Sequence, residues 1–539
     1  MSVERTSAPT QARRRGRPQR LPDDPHPLAS RTVGCDQRIA WLLTVARVLG
    51  PDPDLARREG FIAALKDLGV PADGPRISRW ESGMHTVPNQ VIATYERTLG
   101  LPEAMLSAVA DGLLRSFGGP QPTRRPVARD EPLLNHEVES LLERTEQGAA
   151  TGAHWMRLGE ELSRYERVFL REREWAGLAH SLVTELGAAV GMSYVRRFEA
   201  AARFLRHPNA RRHMVMAVGR FVTDTDTQVV APVLNLLIDV PDPAAADLTL
   251  RLLTADSDNK YLRRAASSVA AAKLARGHFD EAALPPLESH VVGALRRGES
   301  LDGRLDAFDL AVRLPDESWE RIQGALRTRR AHQHVVQARG GDEIIPTARA
   351  ASVVAELAPA VQAATPSHHP QEPDLMLRRL LREALFHSHK PRRHHAALLI
   401  SASPYRTAAA QHLLELAGDD NELLAARAWT VLMRIGDGGH RERVVEHACS
   451  EKRTSVRARA LVNAGLGGTL DADARTSIVR QYDESRPLER HASLFALGMA
   501  GAPELAELGQ RDDPDTQRGA RWWLGRGPAI IDDDVASRS

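Results

Sequence analysis

The chain of 539 residues contains only two cysteines, Cys35 and Cys449, which lie in opposite halves of the sequence. Cysteines so far apart supply neither a disulfide framework nor metal-ligand spacing, and we expect a reducing, cytoplasmic environment. Aromatic residues make up only 4% of the chain, whereas the strong helix formers Ala, Leu and Arg dominate. No run of eighteen apolar residues occurs, and the basic N-terminus lacks an apolar core segment. We therefore expect neither a membrane span nor a signal peptide.

The sequence also lacks the short motifs of common enzymes, namely a GxxxxGK[ST] loop, a GxGxxG fingerprint and an HExxH pair. The nearest approach to a metal site is "HSHKPRRHH", which contains His387, His389, His394 and His395. Basic residues stand between these histidines instead of carboxylates or cysteines, so we interpret the stretch as a basic turn between helices. We expect no catalytic residue, no metal and no other cofactor, and an enzyme stays the weaker alternative.

Positive charge is concentrated at the N-terminus, although the whole chain carries a formal charge of only +2. Residues 1–20 hold six arginines and a single acidic residue, which predicts a polyanionic partner. Residues 1–34 are rich in Pro, Arg, Ser and Asp, and they offer too little apolar surface to predict an ordered structure. We interpret them as a disordered basic arm.

The centre of this arm, Arg15-Gly16-Arg17-Pro18, resembles an AT-hook, a short Gly-Arg-Pro motif with flanking basic residues. The resemblance implies binding in the minor groove of A·T-rich DNA, which is narrow and strongly negative. Gly16 lacks a Cβ, and Pro18 keeps its neighbour extended. Arg15 and Arg17 could then lie along the groove. The alternative is a generic basic tail whose attraction to phosphate is sensitive to salt.

Residues 35–116 predict a small helical domain. Apolar residues recur at helical spacing in "DQRIAWLLTVARVLG" and in "ARREGFIAALKDLGV". A short third helix is predicted to start after Asp73, a good N-cap, and to end at Gly83. Pro88 starts a fourth helix, and a fifth completes the domain. Five short helices with a turn between the second and the third follow the helix-turn-helix plan.

This domain resembles the phage-repressor-like (XRE) helix-turn-helix family. The matching positions are Ile77, Ser78, Arg79, Trp80, Glu81, Gly83, Pro88, Leu99 and Gly100. Two positions depart from the family: the connection from Pro71 to Arg76 is longer, and Ala56-Arg57-Arg58 replaces the usual Gln at the start of the second helix. The resemblance implies a sequence-specific transcriptional regulator whose third helix enters the major groove of duplex DNA.

On the third helix, Ile77 and Trp80 should pack inward, which leaves two arginines on the outer face. Arginine can bond guanine through two hydrogen bonds, so Arg79 is the predicted base reader and Arg76 the second. The predicted major-groove set is Arg76, Arg79, Ser78 and Asp73. The predicted phosphate contacts are Ser82, His85 and Thr86. The alternative is a plain helical bundle with solvated arginines.

Glu81 is predicted to pair with an arginine of the first helix rather than with DNA.

After a linker predicted at residues 117–130, the sequence from 131 to 531 is helical again. Several segments share a polar start, an arginine and a helix of small apolar residues, and these arginines recur about every thirty residues: Arg393, Arg427, Arg457, Arg490 and Arg518. The pattern resembles HEAT-type repeats, which implies an α-solenoid. Residues 532–539 are predicted to form an acidic disordered tail.

The sequence thus predicts an all-α protein, with a small five-helix helix-turn-helix domain followed by an α-solenoid of HEAT-like helix pairs. Our interpretation is a bacterial, nucleoid-associated transcriptional regulator that binds double-stranded DNA. The repeats would bind a protein, peptide or small-molecule ligand, or mediate self-association into a homodimer. The alternative is a solenoid scaffold whose small N-terminal domain tethers it to DNA or to a protein partner.

Overall fold

The computed structural model describes residues 21–30, 32–118, 136–165, 167–255, 260–296, 301–325, 336, 343–368 and 372–532. Over these ranges every regular element is helical, and the only extended pairings are two isolated bridges, Ala189 with Ile530 and Glu343 with His387. The predicted all-α fold class is therefore confirmed. None of the helices in this part of the chain has the length and the apolar character needed to cross a membrane.

The N-terminal helices are α1 (Cys35–Val48), α2 (Pro53–Ala56), α3 (Arg58–Asp67), α4 (Gly74–Trp80), α5 (Asn89–Thr98) and α6 (Met105–Phe117). There is one helix more than the sequence predicted, because Asp52 caps the four-residue α2. Its carboxylate accepts the backbone N–H groups of Asp54 and Leu55. Residues 119–135 fall outside the described ranges, so the predicted linker is not described beyond residue 118.

The helices that follow are α7 (His136–Glu146), α8 (Gly152–Leu162), α9 (Glu172–Ala188), α10 (Gly191–Arg206), α11 (Pro208–Thr223), α12 (Ala231–Leu234), α13 (Pro243–Thr254), α14 (Lys260–Ala275), α15 (Leu284–Arg296), α16 (Leu301–Ala311) and α17 (Asp316–Ala325). The later helices are α18 (Thr347–Ala364), α19 (Leu375–Phe386), α20 (Lys390–Ser401), α21 (Arg406–Ala417), α22 (Glu422–Ile435), α23 (Arg441–Ser450), α24 (Thr454–Leu466), α25 (Ala472–Arg480), α26 (Pro487–Met499), α27 (Leu505–Leu508) and α28 (Pro514–Arg526).

From α20 onward the helices form the predicted stacked pairs. One layer runs through α20, α22, α24, α26 and α28, and α21, α23 and α25 pack beside it. Two of the recurrent arginines, Arg457 and Arg490, join neighbouring repeats. Arg457 donates to the carbonyl of Ala448 and to Glu489 of the next repeat. Arg490 makes the same kind of contact one repeat later, with Asp515. Arg393 and Arg518 instead bond close by in the chain, Arg393 to the carbonyls of His387 and Ser388 and Arg518 to Asp515.

Residues 21–30 and 32–34 correct the predicted boundary of the basic arm, because they are packed against the repeats. Asp24 is buried, and its carboxylate accepts the N–H of Gly34 at 3.1 Å. Side chains of the repeats donate to backbone carbonyls of the segment: Arg379 to Asp24 at 2.9 Å and Arg392 to Ser30. Hydrogen bonds to distant side chains order a stretch that has little apolar surface of its own.

Helix α6 joins the small N-terminal unit to the repeats, since it packs against both α10 and α20. Gly112 shows how tight this contact is. A Cβ there would lie 2.9 Å from a carboxylate oxygen of Glu199 on α10 and 3.3 Å from the ring of His395 on α20. The N-terminal helices therefore pack directly against the repeats through α6.

The chain also returns to the first repeats at its C-terminal end. The N–H of Ile530 donates to the carbonyl of Ala188 at 2.9 Å. The carboxylate of Asp532 accepts the N–H of Gly152 at 2.9 Å and a guanidinium N–H of Arg197 at 2.8 Å. Asp532 is therefore held in place and does not belong to a disordered tail. The repeat array closes on itself, and residues 533–539 lie outside the described ranges.

Candidate nucleic-acid interface

The short helix α4 begins where the sequence predicted. The carboxylate of Asp73 accepts the N–H of Arg76 at 2.8 Å, and proline occupies the first turn. Ile77 is fully buried, and the Trp80 ring packs edge-on against Tyr95 with centroids 6.4 Å apart. The inward face of α4 is thus the predicted one, and the helix cannot rotate without losing this packing.

Glu81 fixes the end of α4 to α1, which confirms the predicted pairing with an arginine of the first helix. Its carboxylate accepts two hydrogen bonds from Arg47, at 2.6 and 2.8 Å, and both side chains are buried. Burial alone would lower the pKa of Arg47, but the contact with Glu81 outweighs it and raises that pKa. Burial also raises the pKa of the neighbouring Tyr95 phenol, which donates to Glu81 at 3.2 Å.

Gly83 closes the turn after α4, in the left-handed conformation that the sequence predicted. Its φ is +68°, and a Cβ there would lie 2.7 Å from the Cα of Gln37. The amide of Gln37 donates to the carbonyl of Gly83 at 2.8 Å. Glycine therefore serves two purposes here, the left-handed backbone and the close approach to α1.

The residues of the predicted DNA-contact set all lie at the surface: Asp73, Arg76, Ser78, Arg79, Ser82, His85 and Thr86. Four of them already make hydrogen bonds within the protein. Asp73 serves α4 as its N-cap, and the guanidinium of Arg76 donates to the carbonyl of Pro71. The hydroxyl of Ser82 donates to the carbonyl of Arg79 at 3.0 Å, and that of Thr86 donates to the carboxylate of Asp36 at 3.3 Å. Sequence reasoning missed Met84, which is 77% exposed in the same turn. The signal that could have identified Met84 was its position in the turn after α4, two residues after Ser82.

The four residues of the AT-hook-like motif, Arg15, Gly16, Arg17 and Pro18, lie outside the described residues. The place where the arm meets the described chain is nevertheless fixed. Asp24 holds Gly34, and Gln37 three residues later holds Gly83. The base of the arm is therefore close to the turn that follows α4.

A buried network of charges fastens α1 to the repeats. Arg38 donates two hydrogen bonds of 2.8 Å to Glu383 of α19 and one of 2.8 Å to Asp24. Arg392 and Arg379 also donate to Glu383, at 2.8 and 3.0 Å. Burial opposes the charge of Glu383, but the arginines prevail and hold its pKa far below the usual range.

The same surface of α1 carries a second anchor that sequence reasoning missed. The indole N–H of Trp41 donates to the carboxylate of Asp374 at 2.9 Å, and its ring stacks on Tyr405 with centroids 6.1 Å apart. The signal in the sequence was a charged residue, Arg38, inside an otherwise apolar helical face. A buried arginine predicts a buried acidic partner, but the sequence does not identify which acidic residue it is.

The histidine-rich stretch, predicted as a turn between helices, forms a turn only at residues 387–389, and from Lys390 onward it is the first part of α20. His387 contacts the carbonyl of Leu28 at 3.1 Å, and His395 contacts the hydroxyl of Ser116 at 2.8 Å. Among the described residues, no three histidine, cysteine or acidic side chains are grouped so as to hold a metal ion. These two rings instead join the repeats to the N-terminal segment and to α6.

No protein-family model and no curated protein match the chain. Among solved structures, the crystal structure of Kap121p matches with 11% identity and a TM-score of 0.26, over 88% of this chain and 46% of that chain. A multiply substituted Kap121p matches with 12% identity and a TM-score of 0.24, over 93% and 52%. The chain thus spans about half the length of these structures. At such TM-scores the likeness implies nothing about what this chain binds.

Proposed function

We propose that this protein is a helical-repeat scaffold without catalytic activity, which its N-terminal unit attaches to duplex DNA. The observation that carries the proposal is the two-sided character of α4. One side is fixed by Ile77 and Glu81, and the other presents Ser78 and Arg79 to solvent. A helix of this kind can enter a major groove while the rest of its unit stays rigid.

The attachment between α1 and the repeats gives the scaffold its geometry. Arg38 of α1 is buried and bonded to both Asp24 and Glu383, and this contact restrains the repeats relative to α4. A protein partner on the repeats would be held at a fixed position relative to the DNA. A flexible linker would not impose such a position.

The basic arm at the N-terminus is a second feature that favours duplex DNA as the partner. Its base is anchored at Asp24, close to the turn after α4, and residues 1–20 carry six arginines. An arm that enters the minor groove beside the α4 contact would add affinity without needing another domain. On this proposal α4 and the arm contact one duplex together.

A second candidate function is sequence-specific transcriptional regulation. The observation that favours it is the exposure of Arg79. A bidentate contact between arginine and guanine favours guanine over the other bases by about 1–3 kcal/mol. Transcriptional regulation requires that the protein prefers one DNA sequence, whereas the scaffold function requires only that it binds duplex DNA of any sequence.

The test is the affinity of the full chain for duplex DNA, measured by fluorescence anisotropy, with bound sequences selected from a random pool. Arg79→Ala should weaken binding about tenfold or more, and the exposed Arg173→Ala on α9 serves as the matched control. An enriched sequence that Arg79→Ala abolishes would establish regulation. Salt-sensitive binding without an enriched sequence would establish the scaffold. Equal affinities for Arg79→Ala and Arg173→Ala would overturn the role of α4.

A further inference from the structure

The connection between α8 and α9 presents one large apolar side chain to solvent. Among the described residues, no large apolar side chain is more exposed than Phe169, which is 96% exposed. A single exposed apolar residue is ordinary on a protein surface. Whether Phe169 belongs to a binding surface is therefore decided by how the chain holds it and by the charges around it.

Residues 167–171 alternate between the protein interior and the solvent. Val168 is buried and Leu170 packs against the core, whereas Arg167, Phe169 and Arg171 are exposed. This alternation is that of an extended chain, in which successive side chains point to opposite sides. The outer side therefore presents one aromatic ring between two guanidinium groups, and we name these three exposed residues the Phe169 edge.

The backbone of this segment is fixed on both sides of the ring. The N–H of Val168 donates to the side-chain oxygen of Asn209, on α11, at 3.1 Å. The N–H of Arg171 donates to the carboxylate of Glu174 at 2.6 Å. Phe169 is thus displayed by an ordered segment, and a ligand that stacks on the ring would have little of the chain left to order.

The acidic residues in the first turn of α9 are already engaged. Glu172 contacts His213 at 2.9 Å, and Glu174 accepts the backbone N–H that closes the segment. Arg212 adds a further exposed cation on α11, one turn after Asn209 and on the same side of that helix. The charges left free around the ring are therefore mostly positive, which predicts an anionic partner.

We propose that the Phe169 edge binds single-stranded nucleic acid, with an unpaired base stacked on the ring and the two arginines on neighbouring phosphates. Sites that bind single strands without sequence preference combine these two elements, an aromatic platform and cations along the backbone. Duplex DNA cannot use both, because its bases expose only their edges in the grooves. The site is separate from α4, and it does not depend on the proposed contact with duplex DNA.

Two other occupants fit the Phe169 edge less well. In a symmetric contact with a second copy of this chain, two cationic patches would face each other and repel. An anionic lipid surface would attract the arginines, but stable attachment to a membrane requires more than one apolar anchor. Vesicles that contain phosphatidylserine therefore serve as the competing probe.

The experiment is binding of the full chain to an oligothymidine of about 16 nucleotides, measured by fluorescence anisotropy. Phe169→Ala should weaken binding about tenfold, as expected for the loss of one stacked base, and Phe169→Trp should retain it. The matched control is Leu524→Ala, at a 51% exposed position on α28. Because Phe169 is almost entirely exposed, its replacement should leave the thermal unfolding of the free protein unchanged.

An abasic oligomer of the same length separates stacking from charge. It keeps the phosphates but offers no base, so it should bind the original protein about as weakly as oligothymidine binds Phe169→Ala. Arg167→Gln should instead reduce the slope of log affinity against log salt concentration by about 0.7, the value for one phosphate contact with a single strand. Arg251→Gln, at an exposed position on α13, should leave that slope unchanged.

Equal affinities of Phe169→Ala and Leu524→Ala for oligothymidine would overturn the proposal. Equally tight binding of the abasic oligomer and oligothymidine would overturn it too, since attraction to phosphate alone would then explain the affinity. If Phe169→Ala abolished binding to the vesicles but not to oligothymidine, the edge would belong to a lipid surface instead. Arg79→Ala should not change the affinity for oligothymidine, and Phe169→Ala should not change that for duplex DNA, so failure of one proposal is distinguishable from failure of the other.

Discussion

Replacement of Glu383 by glutamine should be among the most damaging single changes in this protein. The carboxylate lies at the centre of the network between α1 and the repeats, where Arg38, Arg379 and Arg392 all donate to it. Its side chain has no solvent exposure. Glutamine keeps the shape and one acceptor oxygen, so the variant isolates the loss of the charge.

The expected magnitude follows from what remains after the substitution. Removal of one partner from a buried ion pair costs about 3–5 kcal/mol, because the other charge stays buried. Asp24 still accepts from Arg38 at 2.8 Å and lies 3.8 Å from Arg379. Since Asp24 compensates part of the charge, we expect a loss near the lower limit, about 3 kcal/mol.

The effect should also depend on pH. The pKa of Glu383 is depressed in the folded state, so its contribution is fully present above the unfolded pKa of about 4.3. That contribution is lost as the pH falls below this value, because protonation then favours the unfolded chain. The gap between the original protein and Glu383→Gln should therefore be constant near neutral pH and narrow in acid.

The assay is urea unfolding at several pH values, combined with hydrogen exchange of the α1 and α19 amides. Glu442→Gln, at an exposed position on α23, is the control and should unfold like the original protein. Exchange in α1 should increase more than exchange in α26, which is remote from the network. A loss below about 1 kcal/mol, the net value of an ordinary hydrogen bond, would refute the reasoning. A gap that widens in acid would refute it as well.

Two further substitutions test the ends of the chain and the turn after α4. Asp532→Asn leaves Arg197 with less compensating charge, and it should lower the free energy of unfolding by about 1–3 kcal/mol. It should also speed proteolysis between α28 and the C-terminus, relative to the control Asp512→Asn at an exposed position. Equal proteolysis of the two variants would mean that the Asp532–Arg197 pair does not hold the C-terminal end in place. Gly83→Ala meets both a left-handed backbone and the Cα of Gln37 at 2.7 Å, and it should lower the unfolding temperature and the DNA affinity together. Gly74→Ala, where a Cβ meets nothing within 4 Å, is its control, and equal behaviour of the two would contradict the proposed contact.

The start and end of α4 were predictable because their signals are local. Asp73 caps a helix that begins one residue later, and Gly83 supplies a left-handed turn that few other residues tolerate. The pairing of Glu81 with α1 followed from the same pattern. Periodicity also predicted the stacked repeats, since each helix repeats the same apolar face.

The contacts that unite the two regions were not predictable, because they join residues far apart in the sequence. Arg38 and Glu383 stand in separate helices, each with several other charged residues in reach. Composition was misleading for segment 21–34, since its order comes from Arg379 and Arg392 rather than from its own apolar surface. Local patterns therefore predicted the small helical unit and the repeats, but not the contacts between them.

This packing changes what binding to the repeats can do. Helix α6 connects the unit that bears α4 to α10 and α20. On α20, His395 contacts the hydroxyl of Ser116 of α6 at 2.8 Å. A partner bound to α20 would thus act on a helix that directly contacts α6. Coupling between such a partner and DNA would require that α6 favours different positions in the two bound states. Titration of DNA with Ser116→Ala, which removes the contact to His395, tests whether this contact reaches α4, and an affinity equal to that of the original protein would show that it does not.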